Sequence, residues 1–145
     1  EIAILTAQEA EKFDIVPRIA MISFSSFGST NHKLAAKVRR ATELVSERDP
    51  NLIIDGEMQV DPALDSRLAK EEYPFSKILG DANILIFPSL EAANSAYKLM
   101  ATIGGAETVG PILLGMDKPV SVLSRGCSSE DVYNMAAYTA IQATY

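Results

Sequence analysis

With 145 residues, 48% of them hydrophobic and 22% charged, the chain has the size and composition of one globular domain with a core of its own. The net charge of -6 argues against nucleic acid as a main partner, because phosphate binding needs a basic surface. A single cysteine excludes an internal disulfide framework and fits a reducing, cytoplasmic setting, and no apolar run is long enough to span a membrane. The sequence carries no signal-peptide pattern. It opens at Glu1 directly in helical sequence, which reads as a piece of a longer polypeptide.

Thr6 to Phe13 reads as the end of a helix closed by Pro17. The run Ile19 to Phe24, bounded by a proline and a serine/glycine cluster, suits a buried parallel strand. Ser25 to Thr30 is the loop after it. A helix from about Asn31 to Glu47 places Leu34, Val38, Ala41 and Val45 on one face and Lys33, Lys37 and Arg40 on another. The basic face reads first as solvated surface, second as a positive wall beside an anion in the preceding loop. His32, the one histidine, reads as a surface residue.

Leu52 to Glu57 reads as a second strand ending in carboxylates, and Asp61-Pro62 opens a short helix to about Lys70. Asp55 and Glu57 with Asp61 could in principle hold a divalent metal. Two carboxylates without histidine are a weak signal, and a polar strand end is the preferred reading. Asn83 to Phe87 is the third strand. A helix from about Leu90 to Ile103 follows, with Ala93, Ala96, Tyr97, Met100 and Ile103 on one face and Gly104-Gly105 ending it. No G-x-G-x-x-G follows a strand, so no dinucleotide fingerprint is present. Pro111 to Gly115 and Lys118 to Leu123 read as fourth and fifth strands. The last helix, about Ser129 to Thr144, is apolar almost all round, which predicts burial on several sides and self-association where a side is uncovered.

Strands and helices alternate, which predicts an α/β fold: a three-layer α/β/α sandwich with a mainly parallel sheet. Ligands bind outside the carboxyl ends of such strands. The Ser25–Ser29 loop and the Ser124–Asp131 junction both follow predicted strands, so a shared crevice is expected. The junction combines a helix start, which favours an anion, with the cation of Arg125, the hydroxyl of Ser124 and the carboxylate of Asp131. Taken alone, spacing favours a plainer reading by about two to one, in which Ser128 and Asp131 form a capping box.

Six stretches in register resemble the phosphate acetyltransferase/butyryltransferase family. They are Ser23-Phe24-Ser25 with Gly28-Ser29; Asp55 to Gln59; Ala82 to Pro88; Asn94 with Tyr97-Lys98; Gly110-Pro111-Ile112; and Leu123 to Ser128 with Glu130-Asp131. The chain looks like the C-terminal half of that family's unit, its second domain plus a final helix, in a fold shared with isocitrate dehydrogenases. The resemblance implies acyl transfer between phosphate and the thiol of coenzyme A. It implies that Asp131 takes the thiol proton, that Ser124 positions the thiol or stabilises the oxyanion, and that Arg125 holds the acyl phosphate. It makes Ser25, Gly28 and Ser29 the border of the CoA or phosphate site.

A finer resemblance rests on Phe24 to Ser29, Tyr73 to Ser76, Leu90 to Asn94 and Asn134 to Ala137. These look like the variant fused behind bacterial NADP-dependent malic enzymes. That resemblance implies an upstream malate-oxidising domain with NADP and a divalent metal, an acetyl-CoA-binding regulatory role here, and a homo-oligomer. Active transferases of the family carry a lysine where Phe27 stands. Three functions therefore compete: a regulatory acetyl-CoA-binding module, part of a working phosphate acyltransferase that takes acetyl-CoA or acyl phosphate, and an assembly domain.

Overall fold

The computed structural model describes residues 1–144, which divide into two compact units, Glu1–Ala96 and the residues from Tyr97 onward. The first unit holds α1 (Ile2–Glu11), β1 (Arg18–Ile22), α2 (Lys33–Arg48), β2 (Ile53–Met58), α3 (Val60–Leu64), α4 (Ser66–Glu72) and β3 (Ile84–Ile86). Helix α5 (Leu90–Thr102) runs from the first unit into the second, and α6 (Ser129–Gln142) closes the chain.

The three strands form one parallel sheet in the order β2-β1-β3. Period-two alternation sorts its side chains onto two faces. Ile19, Met21, Ile54 and Ile84 join Ala3 and Ala7 of α1 and Val38 and Val45 of α2 in one core. Ala20, Ile22 and Met58 join Ala63 of α3 and Ile78 in the other. The sheet is thus covered on both sides, as an all-parallel sheet must be.

Several elements differ from the sequence expectation. The single helix expected from Pro62 to Lys70 is two, because Asp65 leaves helical geometry to cap α4, its carboxylate accepting from the N–H groups of Arg67 and Leu68. His32 is an exposed N-cap of α2, its Nδ1 accepting from Leu34 N–H at 3.2 Å. Leu34, expected on the core face, is exposed. The expected fourth and fifth strands, Pro111–Gly115 and Lys118–Leu123, are not strands. They meet only in an isolated antiparallel bridge between Ile112 and Ser121. Their β-branched and apolar residues have strand propensity, but propensity yields a strand only where a neighbour completes the ladder.

In the second unit, the apolar stripes expected to be buried are largely uncovered. Helix α5 has no buried residue, and α6 buries Met135 and Gln142 while Val132, Tyr133 and Ile141 are exposed. The Ser121 and Thr139 hydroxyls are in hydrogen-bond contact, tying the bridge segment to α6. No helix among the described residues is long and apolar enough to cross a membrane.

Candidate functional site

The serine loop is built around one buried carboxylate. Between Met21 and Ile22 the β1–β2 register slips, so that Gly56 and Met58 of β2 are paired and Glu57 between them is not. A bulge of this kind re-aims the extra side chain. Gly56 makes it possible: its φ is +133°, and a Cβ there would come within 2.7 Å of the Met21 carbonyl oxygen. Glu57, wholly buried, turns under the loop.

There its Oε1 accepts from Gly28 N–H at 2.9 Å and from the Ser25 hydroxyl at 3.1 Å. The Arg39 guanidinium grips the same carboxylate through one edge, Nε to Oε2 at 2.9 Å and Nη2 to Oε1 at 2.7 Å. The Glu57 backbone carbonyl also accepts from Phe27 N–H. Burial pushes this carboxyl up, but the hydrogen bonds from Arg39, Gly28, its own backbone and Ser25 together outweigh burial and hold it below its ordinary value.

The remaining loop groups satisfy one another. Ser25 N–H donates to the Ser23 hydroxyl, Ser26 N–H to the Ser29 hydroxyl, and Thr30 N–H to the Ser25 hydroxyl. Ser29 N–H donates to the Ser26 carbonyl, and the Ser26 hydroxyl accepts from Gln59 N–H. Every backbone N–H from Ser25 to Thr30 is therefore engaged within the protein. Ser25 is buried, whereas Gly28 and Ser29 face solvent. The loop is a stiff wall whose own anion position is filled by Glu57.

Phe27 stands in this wall at φ +48°, an uncommon conformation for a bulky residue. Its ring packs on Tyr73 and Phe75, with centroids 5.2 and 4.9 Å away. Such contacts between rings offset part of the backbone cost. The other carboxylates of the strand end have local duties as well. Asp55 accepts from Gly56 N–H and from Lys77 N–H, which fastens the segment before β3 to β2.

A pH prediction follows from Glu57. Its folded value is lowered, so the stability it contributes is complete above the ordinary value of 4.5 and drains as the pH falls through the folded value. Glu57→Gln should remove that part of the acid limb of a thermal-melting profile. Identical acid limbs in the two proteins would show that Glu57 has no such linkage.

In the second unit, Ser124, Arg125, Gly126 and Ser128 are exposed, and Cys127, a free thiol, is half-buried. Helix α6 opens with a capping box, as the plainer sequence reading had it. The Ser128 hydroxyl accepts from Asp131 N–H at 3.1 Å, and Asp131 Oδ2 accepts from Ser128 N–H at 2.7 Å and from the Ser128 hydroxyl at 2.9 Å. These bonds use one carboxylate oxygen and leave Oδ1 without a hydrogen-bond partner among the described residues. They also hold the Asp131 carboxyl below its ordinary value, the Ser128 backbone N–H having the largest effect. Arg125 makes no ion pair among the described residues. Ser124, Arg125 and Asp131 thus lie together at one helix start, while Ser25, Gly28 and Ser29 lie together in the first unit.

Sequence reasoning noted Glu57 as a polar strand end and passed over Arg39. The available signal was a glycine immediately before a carboxylate at a strand end, with an arginine among the cations of the preceding helix. The apolar cleft of about 560 Å³ between α1, α2 and the end of β3 is lined by none of the expected site residues.

The first unit thus holds a parallel α/β sheet with a stiff loop after its first strand, and the second a capped helix start that presents serine, arginine and aspartate. Comparison with known proteins supplies the family. The model of the family described as Phosphate acetyl/butaryl transferase matches residues 1–140, and the chain belongs to that family. It is 50% identical over 143 residues to a phosphate acetyltransferase of Bacillus subtilis, covering 99% of this chain and 44% of that one. Among solved structures it is similar to a phosphotransacetylase from Streptococcus pyogenes (TM-score 0.93, 45% identity). It is likewise similar to the EutD phosphotransacetylase from Staphylococcus aureus (TM-score 0.91, 46% identity). Each of these matches covers 99% of this chain and 44% of the other. The chain therefore spans less than half the length of these relatives. None of these relatives is described as a malic enzyme.

Proposed function

We propose that this chain supplies part of the acyl-transfer site of a phosphate acyltransferase, which moves an acetyl or similar acyl group between phosphate and CoA. The observation that carries the reading is the division of labour at Asp131. Oδ2 is committed to the helix cap, which fixes the side chain, while Oδ1 has no hydrogen-bond partner among the described residues, at a helix start that follows the exposed Ser124 and Arg125. In this reading Oδ1 accepts the proton of the CoA thiol. As the proton leaves, sulfur attacks the carbonyl carbon of the acyl phosphate, a C–S bond forms, the C–O bond to phosphate breaks, and phosphate leaves with the electron pair.

A carboxyl held below its ordinary value is ionised at neutral pH but is a weak base, so proton removal has to accompany attack rather than precede it. Arg125 neutralises the phosphoryl group, and the Ser124 hydroxyl donates to the developing oxyanion. Ser25, Gly28 and Ser29 border the CoA or phosphate site as a rigid wall. A cytoplasmic location and assembly into a homo-oligomer belong to the same proposal. The second draws support from the exposed apolar residues of α5 and α6.

A second reading is favoured by Phe27, whose apolar ring stands where active transferases carry a lysine. In it the domain binds acetyl-CoA and regulates a malate-oxidising, NADP- and metal-dependent domain of the same polypeptide. One experiment separates the two. The full-length protein is assayed for CoA-dependent acetyl transfer, and for malate oxidation with and without acetyl-CoA. Transfer without malate oxidation supports the first reading. Acetyl-CoA-sensitive oxidation with negligible transfer overturns it in favour of the second.

A further inference from the structure

Arg39 and Glu57 form an unequal pair. The Glu57 side chain is wholly buried, whereas that of Arg39 keeps 42% of its surface exposed. The guanidinium spends Nε and one side of Nη2 on the carboxylate, and Nη1 has no hydrogen-bond partner among the described residues. One edge is therefore pinned from behind while the opposite edge faces outward.

The guanidinium adjoins the serine loop at its pinned edge. A Cβ built on Gly28 would lie 3.6 Å from Arg39 Nη2, an ordinary van der Waals distance, which places the guanidinium beside Gly28. Two other cations of α2 are occupied. Arg40 is paired with Glu43 and Glu47, and Lys37 donates to the Pro88 carbonyl. The loop's backbone cannot receive an anion, since its N–H groups from Ser25 to Thr30 are all engaged. Any anion at this wall must be met by side chains. A planar fork held rigid on one edge suits a tetrahedral phosphoryl oxygen pair on the other, because little rotamer freedom remains to be lost.

We propose that Arg39 is the ligand-facing cation of the serine loop, its inner edge fixed by buried Glu57 and its outer edge receiving a phosphoryl group. The proposal rests on the reading of this loop as the border of the CoA or phosphate site. The phosphoryl group is that of an acyl phosphate or one carried by CoA.

The test is titration calorimetry of the full-length protein with inorganic phosphate, CoA, dephospho-CoA and pantetheine. Arg39→Ala alone strands a buried carboxylate and risks unfolding. The main variant is therefore Arg39→Gln with Glu57→Gln, a neutral amide pair, checked for folding by its melting curve. Arg39→Lys keeps the charge but loses the fork. The double variant should weaken a phosphoryl-bearing probe about 10- to 100-fold, the range for a charge-assisted hydrogen bond, with Arg39→Lys between it and the parent. Pantetheine, which lacks phosphoryl groups, should bind the parent and both variants equally.

Loss confined to inorganic phosphate assigns the site to the acyl phosphate, and loss confined to CoA and dephospho-CoA assigns it to CoA. Unchanged binding of every probe by the folded variants, or an equal loss of pantetheine, overturns the proposal while leaving the reading of the loop intact. If the parent binds none of the probes, the reading of the loop falls and the proposal with it.

Discussion

Alanine at position 56 is expected to destabilise the protein by about 3 kcal/mol or more, from a left-handed backbone that disfavours any Cβ and from direct overlap with β1. The overlap is severe, because the new atom would sit 2.7 Å from the Met21 carbonyl oxygen and 2.9 Å from the Met21 Cβ, both on the central strand. Relief requires β1 and β2 to separate or the bulge to unwind, and either movement withdraws Glu57 from Arg39, Ser25 and Gly28. The loss should appear as a fall of about 1 M or more in the urea midpoint of the full-length protein. Gly126→Ala is the control. A Cβ there meets nothing within 4 Å, so its cost should stay within about 0.5 kcal/mol. Equal midpoints for the two variants would mean that the bulge yields freely, and its role in aiming Glu57 would fail.

The second large effect concerns chemistry rather than stability. Asp131→Asn keeps an oxygen that can accept from Ser128 N–H and so preserves most of the capping box, worth about 1 kcal/mol. It removes the basic oxygen. Acetyl transfer by the full-length protein should fall about 10²- to 10⁴-fold, the usual contribution of a positioned general base, while the melting temperature moves little. Asp131→Ala should lose both. The comparison separates the two duties of one side chain: a matched loss of stability and rate in both variants would leave Asp131 as a cap only. Undiminished transfer by a stable Asp131→Asn protein would remove it from the mechanism altogether.

Much of the architecture is local and can be read from the chain. Short apolar runs bounded by proline, glycine or serine mark β1, β2 and β3, and the spacing of Val38 and Val45 marks the buried face of α2. The capping box at Ser128 and Asp131 is likewise a matter of residues three apart. These features depend on neighbours in sequence, whose geometry is set by the helix and strand repeats themselves.

Two things were decided elsewhere. The apolar segments Pro111–Gly115 and Lys118–Leu123 have the composition of strands but find no ladder among the described residues beyond one bridge, since strand formation needs a partner that composition cannot supply. The serine loop is the sharper case. Ser25, Gly28 and Ser29 are legible as a small-residue turn that ought to welcome an anion, and the anion it holds is Glu57, more than two dozen residues away and delivered by a register slip between strands. A buried carboxylate must be paired and hydrogen-bonded. Which arginine and which N–H groups meet that demand is settled only when α2, β1 and β2 pack together, because the partners are brought into reach by the tertiary fold and by nothing in their spacing.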